Sequence, residues 1–244
     1  MNIQVVPTAQ QVQGIDFSGK IAVVIDVLRA TSVITTALDN GAREVIPVKT
    51  VDEAQSLYAT YDVANTLRGG ERNALKIEGF DLGNSPLEYK KKTVEGKTLI
   101  LTTTNGTNAI NNVKGADEVV LACFRNAAAV AEHIIGLSHY GSRDILVVCA
   151  GTEGQFSLDD GLCAGMLIEL LKQKTEVETD DFGLLLQHYY LENQSDLFKA
   201  LADCLHLKRL FTLGFYDDIR FCLETNYVVT VPVVRGEKVY TSTN

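Results

Sequence analysis

Short runs of Val, Ile and Leu recur through the chain, separated by stretches of helical periodicity, and this alternation is its strongest constraint. The runs are Ile21–Val27, Glu44–Val48, Thr98–Thr103, Glu118–Cys123 and Asp144–Cys149. They are apolar over most of their length rather than at every second position, as in strands covered on both faces. The intervening helices have readable starts. Thr50 with Glu53 and Ser85 with Glu88 have capping-box spacing, Pro86 sits at a first helical position, and Ser157 with Asp160 repeats the device. Strand and helix in alternation predict an α/β fold, a three-layer α/β/α arrangement around a mostly parallel sheet. The end differs. Residues 182–210 read as helical, and "YVVTVPVVRGEKVYTST" reads as a C-terminal β-hairpin turning at Arg235-Gly236-Glu237.

No shift in composition marks a linker, so residues 1–244 are expected to form one unit. "VVIDVLRATSVITTAL" (Val23–Leu38) also aligns with "VVLACFRNAAAVAEHI" (Val119–Ile134), placing Arg29 over Arg125. An internal βα duplication is one reading; similarity by chance between two units of one sheet is the other.

Bulk properties narrow the function classes. The formal net charge is -9 and the pI about 5.0, which argues against nucleic acid as a partner because phosphate contacts need a basic face. A small anionic substrate stays open, since a few arginines and backbone N–H groups can outweigh a diffuse negative surface. The five cysteines are scattered without a Cys-x-x-Cys pair, and the histidines lack metal-ligand spacing, so a zinc site of ordinary spacing is not expected. No signal-peptide pattern opens the sequence and no apolar run approaches the roughly 20 residues of a spanning helix. No membrane association is expected, and the cytoplasm is the expected compartment. A homodimer is left open.

Five polar clusters fall near strand ends, where open α/β sheets bind ligands. The first is Asp26 with Arg29, Thr31 and Ser32. A helix N-terminus, a guanidinium and two hydroxyls suit phosphate. The plain alternative pairs Asp26 with Arg29 and makes Ser32 a helix cap. The second is "TTTNGTNAI", where Thr104, Asn105, Gly106 and Thr107 turn a strand into a helix and can aim N–H groups at an anion. An ordinary turn is the alternative, and Walker-loop spacing is absent. The third, Arg68–Pro86, carries Glu71, Arg72, Asp81, Asn84 and Ser85 in a long glycine-bearing segment. The fourth runs from Cys149 through Gly151 to Asp159 and Asp160; the helix dipole alone explains acids there, yet carboxylates converging from several strand ends also suit Mg²⁺. The fifth, with Asp217 and Asp218, reads mainly as capping. No Gly-x-Ser-x-Gly elbow exists and no histidine falls in these clusters, so a serine-type nucleophile is disfavoured.

Together "IDVLRATSVI", "GERNALKIEGFDLGNSP", "LTTTNGTNAI", "CAGTEGQFSLDDGLCAG" and "DIRFCL" resemble, in order, the 2-phosphosulfolactate phosphatases, the ComB-like proteins. The resemblance implies a Mg²⁺-dependent phosphatase with the family's own α/β fold, releasing phosphate from 2-phosphosulfolactate to give sulfolactate, on the way to coenzyme M in methanogens. Carried over by position, it implies site roles for Asp26, Arg29, Thr31, Ser32, Glu71, Asp81, Asn84, Ser85, Thr104 to Thr107, Gly151, Asp159 and Asp160. One departure stands out: Asn108 follows "TTTNGT" where the family pattern has arginine, which bears on the substrate more than on the reaction class.

The expected mechanism is metal-assisted hydrolysis. Asp26, Glu71 and Asp159 or Asp160 would hold Mg²⁺, Arg29 and the loop N–H groups would take the phosphoryl group, and Arg72 and Arg125 the acid end. Asp26 as nucleophile ranks second. A non-catalytic anion-binding protein, a phosphotransferase and a family phosphatase with another phospho-acid substrate are the competing readings.

Overall fold

The computed structural model describes residues 1–138 and 143–243, the side chain of Ser138 excepted. Among these residues eleven strands form one sheet: β1 Asn2–Val6, β2 Lys20–Ile25, β3 Glu44–Pro47, β4 Thr66–Arg72, β5 Leu75–Lys76, β6 Thr98–Thr102, β7 Glu118–Ala122, β8 Asp144–Cys149, β9 Glu178–Thr179, β10 Pro232–Arg235 and β11 Lys238–Thr241. Their spatial order is β5-β4-β6-β3-β11-β10-β7-β2-β8-β1-β9.

The sheet is two parallel blocks joined by the C-terminal hairpin. β4, β6 and β3 are parallel, as are β7, β2, β8, β1 and β9. The hairpin lies between them, antiparallel to both: Val239 pairs with Val45 on one side and Val233 with Val120 on the other. The expected hairpin therefore forms, but in the middle of the sheet. Val233 and Val239 are fully buried there, which is why these strands alternate Val with polar residues less than an exposed hairpin would.

The side-chain period of two sorts β2 onto two cores. Ile21, Val23 and Ile25 pack with Val130, Ile134, Leu167 and Leu171 from the helices Ala127–Ser138 and Leu158–Lys172. Ala22 and Val24 face the other way, against Val33, Ala37 and Ile110 of the helices Ala30–Asp39 and Gly106–Asn112. Those two cores are the outer interfaces of a three-layer α/β/α fold.

Local differences have local causes. Thr50 caps the helix Val51–Tyr58 by accepting the Glu53 N–H, as the spacing predicts. Ser85 caps nothing; only a 3₁₀ turn, Pro86–Glu88, follows it, and Glu88 is drawn instead to the Gly83 N–H. The expected helical stretch 182–210 breaks into Asp181–Asn193, Leu197–Ala200 and the start of Leu205–Thr212. Asp180 and Asp196 cap the first two through the N–H groups of Gly183 and Lys199.

Candidate active site

β2 ends at Ile25, and the chain must turn at once into the helix Ala30–Asp39. Thr31 closes this turn: its Oγ1 donates to the Asp26 carbonyl (2.8 Å) and accepts the Asp26 N–H (3.1 Å). Asp26 Oδ1 in turn accepts the Ala30 N–H (3.0 Å), so the carboxylate sits at the positive end of the helix. Ser32 Oγ donates to the Val27 carbonyl (2.7 Å). On its other side Asp26 meets Gly106. A Cβ there would lie 2.4 Å from Ala30 Cβ and 2.5 Å from Asp26 Oδ2, so only glycine lets the β6 loop approach.

Arg29 is buried beside this turn, but its partner is not Asp26. Nη1 donates to Asp218 Oδ2 (2.5 Å), Nη2 to the Ala74 carbonyl (2.8 Å), and the guanidinium stacks 4.0 Å over the Phe215 ring. Ser85 Oγ donates to the second Asp218 oxygen (2.7 Å). Glu71, at the end of β4, accepts the N–H groups of Thr104 and Ala74, both at 2.7 Å, and so ties the β6 loop to the β4–β5 turn. Asp160 does the same between β2 and β8: its two oxygens accept the Val27 (2.9 Å) and Gly151 (3.0 Å) N–H groups.

These elements enclose a cleft at the carboxyl edge of the sheet, with about 490 Å³ of free volume including its open mouth. Asp26, Arg29, Glu71 and Asn84 line it, with Thr103–Asn105 and Thr152–Glu153 from two strand ends. The helix Leu205–Thr212 adds His206, Arg209 and Leu210, three and four residues apart and so on one face. Behind His206 lies Asp159, whose Oδ2 is 3.6 Å from His206 Nδ1. That is an ion-pair separation, longer than a hydrogen bond, and neither atom has a hydrogen-bond partner among the described residues.

Burial sets the electrostatics. It pushes Asp26 up to about 6, against the Ala30 N–H and the charge on His206, while Asp159 and Glu71 push the same way as burial. Burial also pushes Asp160 well up, helped by Asp159 and Asp26, while its two N–H donors act against it. For Asp159 burial acts upward too, but His206 and Ser157 outweigh it and hold the carboxyl below its usual value. His206 mirrors this: burial acts downward, and Asp159 carries it above the ordinary imidazole value. The His206 imidazole and the buried Asp159 carboxylate thus each favour the other's charged form at the cleft wall.

Comparison with known proteins decides what this cleft belongs to. Residues 6–237 match the family described as 2-phosphosulpholactate phosphatase. The chain belongs to this family. It is 47% identical over 242 residues to a protein of Caldanaerobacter subterraneus subsp. tengcongensis, covering 99% of each chain. It is 41% identical over 232 residues to one of Clostridium tetani, covering 95% of this chain and 97% of the other. Each of these relatives is named probable 2-phosphosulfolactate phosphatase. Membership makes the chain an enzyme, a phosphoric monoester hydrolase.

Within this phosphatase the expected site residues divide. Asp26, Arg29, Glu71, Asn84, Thr104 and Asn105 line the cleft. Thr31, Ser32, Ser85, Thr107, Gly151 and Asp160 form the layer behind it, their side chains or N–H groups spent on holding the turns, while Gly106 packs against Asp26 and Asp159 stands behind His206. Asp81 accepts the Arg68 N–H and pairs with its side chain. Two arginines expected at the acid end of the substrate are elsewhere. Arg72 donates to the carbonyls of Glu71 and Lys49 and to Thr102 Oγ1. Arg125 pairs with Glu224 and stacks 3.7 Å over Phe221. The plain pairing of Asp26 with Arg29 is corrected as well, because Asp218 takes that place. Sequence reasoning missed His206 and Arg209, which lie on a helix whose charged and apolar residues read as an ordinary surface element. It also undervalued Asp218, whose signal was its position beside Asp217 in the fifth cluster.

The donor set accords with a hard cation in a limited way. Among the described residues no three His, Cys, Asp or Glu side chains converge as a metal cage. Mg²⁺ does not require one, since it is held through one or two carboxylates together with waters and substrate phosphate. Asp26 and Glu71 face the cleft, and buried Asn84 Oδ1 has no hydrogen-bond partner, so an oxygen set of the right hardness is present. Asp159 and Asp160 are outside that lining.

Proposed function

We propose that this phosphatase hydrolyses the phosphate monoester of a small polyanionic acid, 2-phosphosulfolactate, to sulfolactate and phosphate, with Mg²⁺. The observation that carries the reading is the buried Asp26 carboxylate at a strand end, facing a cleft shared with Arg29 and His206, in a chain of this family. Asp26 and Glu71, with Asn84 Oδ1, would hold Mg²⁺, which when bound neutralises phosphoryl oxygens and activates water. Arg29, immobilised by Asp218 and Phe215, presents fixed positive charge where the transferring phosphoryl group gathers negative charge. His206, whose protonated form Asp159 favours, donates a proton to the leaving alkoxide oxygen as its bond to phosphorus breaks, and regains one from the attacking water. The layer behind the cleft does no chemistry. It keeps five loops in register, which positioning requires at the sub-ångström level.

The cytoplasm is the compartment we propose. All five cysteines are free and buried, and among the described residues no helix is long and apolar enough to cross a membrane. A homodimer is proposed from Leu184, Leu185 and Leu191, exposed on the helix Asp181–Asn193, and sedimentation velocity decides it.

The test is phosphate release from a panel of phosphorylated three-carbon acids, with and without a sulfonate, at fixed Mg²⁺ and with a chelator. The reading expects the sulfonate ester to be preferred and the chelator to stop release. Faster release from the esters lacking sulfonate would transfer the activity to another phospho-acid, a change for which Asn108 is the visible sequence difference. Release that survives the chelator would remove the metal.

A further inference from the structure

A phospho-acid with a carboxylate or sulfonate needs a second cation in the cleft, and the side chains expected to supply it are elsewhere. Arg72 is bonded to the β6 strand end, and Arg125 is clamped under Glu224 and Phe221. Arg29 lines the cleft but is fixed by Asp218 at 2.5 Å, with both partners at most 5% exposed, and is assigned above to the phosphoryl group. His206 faces Asp159. That leaves Arg209. Its one ion pair among the described residues, Nη1 to Glu153 Oε1 at 2.6 Å, is with a side chain 66% exposed, and both residues lie on the cleft lining.

We propose that Arg209 is the specificity-determining residue that binds the second anionic group of the substrate, with Glu153 as its placeholder when the cleft is empty. This rests on the hydrolase reading above and adds which end of the substrate is read, and by what. The geometry supports an exchangeable pair. Arg209 is one helical turn from His206, on the face of Leu205–Thr212 that lines the cleft, so a phosphate ester seated near Asp26 and His206 extends its acid end along that helix. Glu153 is held in the left-handed region at φ 52°, where a non-glycine residue persists only if its surroundings impose it. Its N–H reaches Asn105 Oδ1 of the opposite rim at 3.4 Å, a weak link that a bound substrate can replace. A guanidinium fork matches a planar carboxylate or a sulfonate face, whereas a lysine would supply a point charge. Glu153 also discriminates at the rim: a phosphate ester without a second anion offers Arg209 nothing that Glu153 does not already offer.

The test compares two substrates in three proteins: wild type, Arg209→Gln and Glu153→Gln. One substrate is 2-phosphosulfolactate, which carries a carboxylate and a sulfonate besides the phosphate, with 2-phospholactate, which keeps only the carboxylate, as a second arm; the other is phenyl phosphate, which has neither. Arg209→Gln is expected to lower the kcat/KM ratio of the sulfonate ester over phenyl phosphate by about tenfold or more, mostly through KM. Glu153→Gln is expected to move the same ratio the opposite way, by removing the competing carboxylate. Parallel losses on both substrates in Arg209→Gln, or an unmoved ratio in both variants, would overturn the proposal. Failure of the hydrolase reading is seen separately, as absence of phosphate release in the wild type. Calorimetric binding of the phospho-acids to the same three proteins then carries the comparison, and wild-type affinity no greater than that of Arg209→Gln overturns it.

Discussion

Two βα units lie side by side in this sheet, β2 with its helix and β7 with its helix, and they share an arginine but not a carboxylate. Arg29 stacks over Phe215 and pairs with Asp218; Arg125 stacks over Phe221 and pairs with Glu224. Both arginines therefore grip the same stretch, the helix Tyr216–Cys222 and its flanks, one at each end. Where Asp26 follows β2, the aligned residue is Ala122, the last of β7, and no described residue of the second unit lines the cleft. The shared arginine clamps that stretch in both units, and only Arg29 also lines the cleft. The carboxylate, with the Gly106 loop folded against it, is what turns one of the two units into a site.

Four changes break or sharpen this comparison. Arg29→Met leaves Asp218 buried without its cation and should cost about 3–5 kcal/mol of stability, read by chemical denaturation. Asp26→Asn should act in the opposite direction at high pH when metal is chelated. Asp26 is raised from 3.8 to about 6, so the stabilisation of its neutral form is complete below pH 3.8 and lost as pH rises through about 6. The asparagine variant should thus be more stable than wild type by about 3 kcal/mol at pH 8 and by little at pH 4, so a pH-independent difference would contradict the electrostatic account. Gly106→Ala pushes a methyl into Ala30 and Asp26 and should cost about 1–3 kcal/mol, with a fall in kcat, because the β6 loop must retreat from the carboxylate. Arg125→Met should cost least, about 1 kcal/mol, since Glu224 is 45% exposed and is hydrated when released; phosphate release should fall less than in Arg29→Met.

The same two units show what the sequence can convey. The βα alternation, the strand ends and Asp26 itself were legible because an apolar strand closed by a carboxylate is a local pattern. Family resemblance added the loops that surround it. Partner choice was not legible. Asp26 and Arg29 are three residues apart and look like a pair, yet the arginine pairs with Asp218, 189 positions away. Thr31, Ser32 and Asp160 look like ligand groups in a list of residues, and only the fold shows their oxygens and hydroxyls consumed by backbone N–H and C=O groups that would otherwise be buried unpaired. His206 and Arg209 were invisible for the converse reason. Their helix carries no motif, and its function arises from docking against strand ends distant in the chain. The hairpin was read correctly as a local unit, but its insertion between β3 and β7 is a tertiary fact with no local signature.

Phosphate release from 2-phosphosulfolactate by wild type and Asp26→Asn, at saturating Mg²⁺ and with matched circular dichroism, tests the central claim most directly. If the carboxylate rather than the arginine clamp makes the site, the asparagine variant keeps its fold and loses about 10³-fold or more in kcat/KM. Release within about tenfold of wild type would contradict the account and remove Asp26 from the chemistry.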